Sequence, residues 1–212
     1  MIYQPFLNNL LLLLEILTAV VAIFYYKDLK NTYWKWFVIY LIYIAVLESV
    51  GLFLIDFLNI KKNLYFAYFG IPFQYIFFFW LYSKSLNNKT IFYICTALFL
   101  LTFLPVEYFF KKSNIVYSIN IAIGDLILMF LVVKEFAKQI ESDNILQFKQ
   151  NKMFYINIGV VLFYVGTFPF FGFYNLLLNE IQIWNNYYVY FLISNCIMYL
   201  LFTASFIWGT QK

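Results

Sequence analysis

The sequence predicts an all-α fold: a polytopic membrane helical bundle of one domain, with about seven transmembrane helices, its N-terminus outside and its C-terminus inside. Three observations predict it. The 212 residues are 65% hydrophobic, 25% aromatic and only 11% charged, whereas a soluble domain carries about 25% charged residues. The apolar residues gather in runs of roughly 20, the length a helix needs to cross the hydrocarbon core. The polar breaks between runs carry lysine unevenly on alternate sides, as membrane topology requires.

The runs lie near 6–26, 36–57, 64–83, 90–110, 115–134, 153–178 and 187–209. Lys27, Lys30, Lys35, Lys84, Lys89, Lys134, Lys138, Lys149, Lys152 and Lys212 then fall on one side, and Lys61, Lys62, Lys111 and Lys112 on the other. The lysine-rich side is expected to be cytoplasmic. Tyr25, Tyr26, Tyr33, Trp34 and Trp36 flank the first inner loop, and Trp184, Tyr187 and Tyr188 the last outer one, positions where amphipathic rings favour the headgroup layer. The first run lacks a basic leader and a small-residue cleavage site, so it is expected to be a retained helix. A multi-pass protein of the bacterial inner membrane follows, its principal partner the lipid bilayer.

Composition also excludes. All fourteen basic residues are lysines, and there is no histidine. Without imidazole there is no ready general base and no common zinc site, and without guanidinium there is no bidentate phosphate clamp. The lysines come in ones and twos between apolar runs, so no direct nucleic-acid contact is expected. Cys95 and Cys196 sit inside apolar runs, where a thiol behaves as a small hydrophobe. No cofactor, no metal and no enzymatic activity are expected.

Ionisable residues inside membrane runs are candidate sites, because a charge at the helix centre costs about 2.5 to 3.5 kcal/mol on insertion scales. Glu15, Glu48 and Asp125 meet this description. At 1.5 Å per residue they lie about 13 to 17 Å from the outer ends of their helices. Gln74, Thr167 and Asn195 come out at similar depth, so six runs each contribute one polar group near a common plane. Convergence would build a midplane binding layer of the kind transporters use; interhelical hydrogen bonding is the plainer alternative. With no basic residue at that depth, a carboxyl there would carry a proton, or the layer would hold water or a cation.

Gly166, Pro169 and Gly172 in FYVGTFPFFG mark a hinge candidate, and proline predicts a kink near Val165. The longest polar stretch, 134–152, reads as a solvated extension of the fifth helix and a connector, or as a docking surface for a cytoplasmic protein partner; Ile145 and Leu146 are its apolar points. A mid-depth acid in the first and fifth runs, and an amide in the third and seventh, echo a three-plus-one-plus-three repeat.

The segments LEILTAVVAIFYYKDLKNTYWKWF and FYINIGVVLFYVGTFPF, with the stretch around Glu48 and Gly51, resemble an uncharacterised seven-helix bacterial integral membrane protein family. The resemblance spans most of the chain and implies a fold and no assigned activity. Carriers of the nicotinamide-riboside type share the length and plan, but their tryptophan-rich motifs are missing here. Nuclease-like membrane accessories of RNA-targeting defence systems need arginine and histidine, which are also missing. The expected function is therefore a non-enzymatic sensor or relay, or a membrane accessory of a cytoplasmic partner in signalling or defence. The alternative is a small-solute carrier or pore using the midplane carboxylates and amides, with a lipid-modifying enzyme third.

Overall fold

The computed structural model describes residues 3–58, 65–103, 113–141, 148–172, 177 and 180–209. Every regular element among them is helical. Helix α1 spans Tyr3–Phe24; Pro5 sits in its first turn, where a missing N–H costs nothing. Its residues Leu14, Glu15, Thr18, Ala19 and Ala22 are buried, while Leu13, Ile16, Leu17, Val20 and Ile23 are exposed. A helix that is apolar on both its packed and its outward face is suited to a membrane span. A single turn, α2 (Tyr26–Leu29), leads into α3 (Lys35–Leu58).

A π-helical turn at Phe66–Gly70 runs into α4 (Ile71–Ser85), which has proline in its first turn. Asn87 then takes a left-handed φ of 54°, a conformation asparagine adopts more readily than most residues. The Asn88 side chain accepts hydrogen bonds from the amides of Thr90 at 3.0 Å and Ile91 at 3.3 Å, capping α5 (Lys89–Leu101). Helix α6 runs from Ser113 to Glu141. Asn151 caps α7 (Lys152–Val160) by accepting from the Met153 amide. A second π-helical turn, Val161–Val165, joins α7 to α8 (Gly166–Gly172), which contains Pro169, and α9 covers Ile181–Ile207.

Three of these segments, Tyr3–Phe24, Lys152–Phe170 and Ile181–Ile207, are long and apolar enough to cross a membrane. Two elements refine the expectation. The fifth run extends as helix past Lys134 to Glu141, but the extension is not solvated throughout, because Glu135 is buried against α4. The sixth run carries its irregularity as a whole π-helical turn ending at Val165, the residue whose carbonyl Pro169 cannot satisfy. Lys61, Lys62, Lys111, Lys112, Ile145, Leu146 and Lys212, and the far ends of the fourth and sixth runs, lie outside the described residues.

Side-chain pairings give the helix directions. Tyr188 to Asn8, Tyr199 to Thr18 and Phe206 to Tyr25 rise together, so α1 and α9 are parallel. Lys152 to Ser205 and Phe170 to Trp184 run oppositely, so α7 and α8 are antiparallel to α9. Phe37 to Phe77, Tyr43 to Phe73 and Tyr65 to Leu47 set α3 antiparallel to α4 and the turn before it. Tyr75 to Asp125 and Ser85 to Glu135 set α4 parallel to α6.

Helix α9 is the hub, buried along Leu192, Asn195, Met198, Tyr199, Phe202 and Phe206. Small residues let α1 approach it closely: the Thr18 hydroxyl lies 2.9 Å from that of Thr203 and 3.2 Å from the Tyr199 carbonyl. Thr18→Val should remove this bridge without changing volume and lower stability by about 1 kcal/mol, read as a lower thermal midpoint in micelles. Around the hub, Tyr40 stacks on Phe77 at 4.1 Å and Phe37 on Phe206 at 5.5 Å. Outside, Leu126, Met129, Phe130 and Val133 on α6 and Ile193, Ile197 and Leu200 on α9 are exposed, an apolar exterior that water does not favour.

Candidate functional site

The site is built on the parallel pair α4 and α6. Asp125 is 1% exposed and Tyr75 3%. The Tyr75 hydroxyl donates to Asp125 Oδ1 at 2.6 Å and lies 3.2 Å from the Ile121 carbonyl, so its one proton is drawn by two acceptors on α6. Gly124 makes this approach possible, because a Cβ there would stand 2.6 to 2.8 Å from the Tyr75 ring. Asp125 Oδ2 is buried and makes no hydrogen bond.

Tyr164, in the second π-helical turn, packs its ring 5.6 Å from those of Tyr75 and Phe78. Its hydroxyl lies within electrostatic reach of Asp125, Tyr40 and Tyr82. Tyr40 is in turn within reach of Gln74 and Glu15, and Tyr199 of Glu15, Glu48, Tyr40 and Tyr164. Four of the expected residues, Glu15, Glu48, Gln74 and Asp125, thus lie within electrostatic or hydrogen-bond reach of buried tyrosines, Asp125 in direct contact with one. Glu15 is 4% exposed, whereas Glu48 and Gln74 are half-buried.

The other expected residues stand differently. Asn195 is buried one turn before Tyr199 on the same face of α9, with Oδ1 unpartnered. Thr167 is 1% exposed but donates to the Phe163 carbonyl at 2.6 Å, so its hydroxyl is used within its own helix. Gly166 leaves room for the Tyr190 hydroxyl, which donates to the Leu162 carbonyl at 3.1 Å over the irregular turn. Pro169 lies inside α8 and Gly172 ends it. The tyrosines that link the acids, Tyr40, Tyr75, Tyr82, Tyr164 and Tyr199, are each no more than 3% exposed and were not among the candidates; the seven-residue interval between Tyr75 and Tyr82, which puts both on one stripe of α4, is the local signal that marks two of them.

A second polar knot closes the lysine-rich end of the same pair. Ser85 donates to Glu135 Oε1 at 2.9 Å, Gln139 donates to the same oxygen at 3.3 Å, and Lys138 Nζ donates to the Ser85 carbonyl. Glu135 is 2% exposed, and its Oε2 is unpartnered. Tyr33, on the connection before α3, faces it; burial and then the Glu135 carboxylate push the Tyr33 hydroxyl up to about 12, so it stays neutral. Lys152 is the one lysine buried among the described residues, and it is spent at the end of α9, donating to the Ser205 and Gly209 carbonyls at 3.2 and 2.5 Å.

Chemically, the arrangement places the nearly inaccessible Asp125 carboxyl among phenols, with Tyr75 as its hydrogen-bond donor. An ionised carboxylate there gives up most of its hydration. No protein-family model, no curated protein and no solved structure matches the chain.

Proposed function

We propose that this chain is a multi-pass protein of the bacterial inner membrane, crossing seven times with its N-terminus outside and its C-terminus in the cytoplasm, within the seven-helix family that it resembles. The parallel and antiparallel pairings above support this, since successive crossings must alternate and each described pair has the direction that alternation requires. Lys35, Lys84, Lys138, Lys149 and Lys152 then gather at one face, which positive charge assigns to the cytoplasm.

Its function is that of a non-enzymatic sensor or relay working on a cytoplasmic partner through segment 134–152. The observation that carries this is the position of Asp125 and Glu135 on one helix: both are tied to α4, and the midplane cluster and the cytoplasmic end share a rigid rod. A proton gained or lost at Asp125 changes its bond to Tyr75 and with it the seating of α6. The partner surface is the helical extension Lys134–Glu141 and the connector after it.

A second reading, a small-solute carrier, has its own support. Two π-helical turns and Pro169 put irregular backbone beside the cluster, and discontinuous helices at midplane sites are a transporter device.

One pair of measurements separates them. Affinity capture from native membranes should recover a cytoplasmic protein in a yield that changes severalfold on Asp125→Asn with Glu15→Gln, while liposomes holding the pure protein pass no ion or solute. A flux that the same substitutions abolish would replace the relay by the carrier, and capture indifferent to them would remove the relay altogether.

A further inference from the structure

We propose that a proton track enters the bundle at Glu135 on the lysine-rich face and reaches Asp125 through the Tyr82 and Tyr164 hydroxyls, with water as the bridging ligand. It rests on the reading of Asp125 as a proton-holding group.

The geometry comes from the two ties between α4 and α6. Tyr75 to Asp125 and Ser85 to Glu135 are each displaced by ten residues along parallel helices, a separation of about 15 Å. Tyr82 stands between them on the Tyr75–Ser85 face of α4, fully buried, and Tyr164 leans in from the π-helical turn against Tyr75 and Phe78. Leu128 and Leu131 on α6 and Phe78 on α4 are each 0% exposed, so the polar atoms of this line sit in an apolar interior.

The polar atoms on this line share one property. Glu135 Oε2, the Tyr82 hydroxyl, the Tyr164 hydroxyl and Asp125 Oδ2 are all buried without a hydrogen-bond partner. Each neighbouring pair is within electrostatic reach: Tyr82 of Glu135, and Tyr164 of both Tyr82 and Asp125. Leaving one such group unpaired costs about 1 to 3 kcal/mol, and a buried water with two to four polar partners removes that cost. Four in series between an aqueous face and a buried acid are suited to passing protons by hydrogen-bond exchange.

The bookkeeping closes without a redox step. A proton from cytoplasmic water adds to Glu135; each hydroxyl accepts a proton on its oxygen as it releases its own, and Asp125 takes up the last. Every tyrosine ends neutral, and reversal returns the proton to water. Glu135 is faced by Ser85, Tyr82, Gln139 and Tyr33, with Lys138 one turn on; Asp125 is faced by Tyr75 and Tyr164.

The test is infrared spectroscopy of the full chain in nanodiscs, rapidly mixed into D2O. A protonated-carboxyl band that Asp125→Asn removes should be present and should shift as deuterium arrives. Tyr82→Phe, which keeps the ring, and Glu135→Gln, which still accepts from Ser85, should each slow that shift by about tenfold. Thr96→Val, which removes an equally orphaned hydroxyl off the line, should leave the rate unchanged. Tyr164→Phe stands in if either variant shows a lowered melting midpoint. Wild-type exchange rates in the track variants would overturn the track alone, and the absence of a band sensitive to Asp125→Asn would overturn the track and the proton-holding reading together.

Discussion

Gly124→Ala should unseat the Tyr75–Asp125 bond and destabilise the bundle by about 2 kcal/mol, the range for overpacking a filled interior. The added methyl would stand 2.6 Å from Tyr75 Cε1 and 2.7 Å from Cζ. The ring has little freedom to give way, because Phe99 lies 5.0 Å from it, Tyr164 5.6 Å and Phe79 6.2 Å. Helices α4 and α6 must then part, or the hydroxyl must leave Asp125. Thermal unfolding in detergent should show the midpoint down by about 5 °C. Tyr75→Phe in the Gly124→Ala background should cost little more, because the bond it removes is already broken. A midpoint within a degree of wild type would mean that α4 and α6 are not packed as described.

Lys152→Met should cost about 2 to 3 kcal/mol although it keeps the length and apolar stem of the side chain. Its ammonium donates to the carbonyls of Ser205 and Gly209 at the end of α9, and hydrogen bonds from charged groups are worth about 1.5 to 3 kcal/mol. It also meets the negative end of the α9 dipole. Removing it leaves buried carbonyls unpaired at the terminus of the hub helix. Hydrogen exchange should report the loss as faster exchange of amides 203–208, with amides of α4 little changed. Uniform loss of protection across both helices would show instead that the lysine serves the whole fold.

How much of this was legible in the sequence depends on what kind of signal each feature leaves. Run length is local, so the helices appear close to where apolar stretches place them. An acid among leucines is conspicuous, which is why Glu15 and Asp125 were readable as interior groups. Tyrosine leaves no such mark: with 20 of them in the chain, an amphipathic ring reads equally as an interfacial belt or a buried linker, and only helix pairing decides that Tyr40, Tyr82 and Tyr164 are inside. Glu135 was hidden for the same reason. Between Lys134 and Lys138 it looks solvated, and its burial follows from the register of α4 against α6, set by Gly124 fifteen ångströms or so away. The π-helical turn at Val161–Val165 was half legible, since Pro169 announces an irregularity but not its form.

The paired rungs between α4 and α6 have a mechanical corollary. Two parallel rods tied at Tyr75–Asp125 and again at Ser85–Glu135 cannot slide past one another without breaking both fastenings at once. Axial shear of this pair is resisted for as long as both bonds stand. Larger excursions are diverted to its neighbour, where Val161–Val165 and Pro169 interrupt the regular ladder and the single Tyr190–Leu162 bond is the described fastening that bending would have to open.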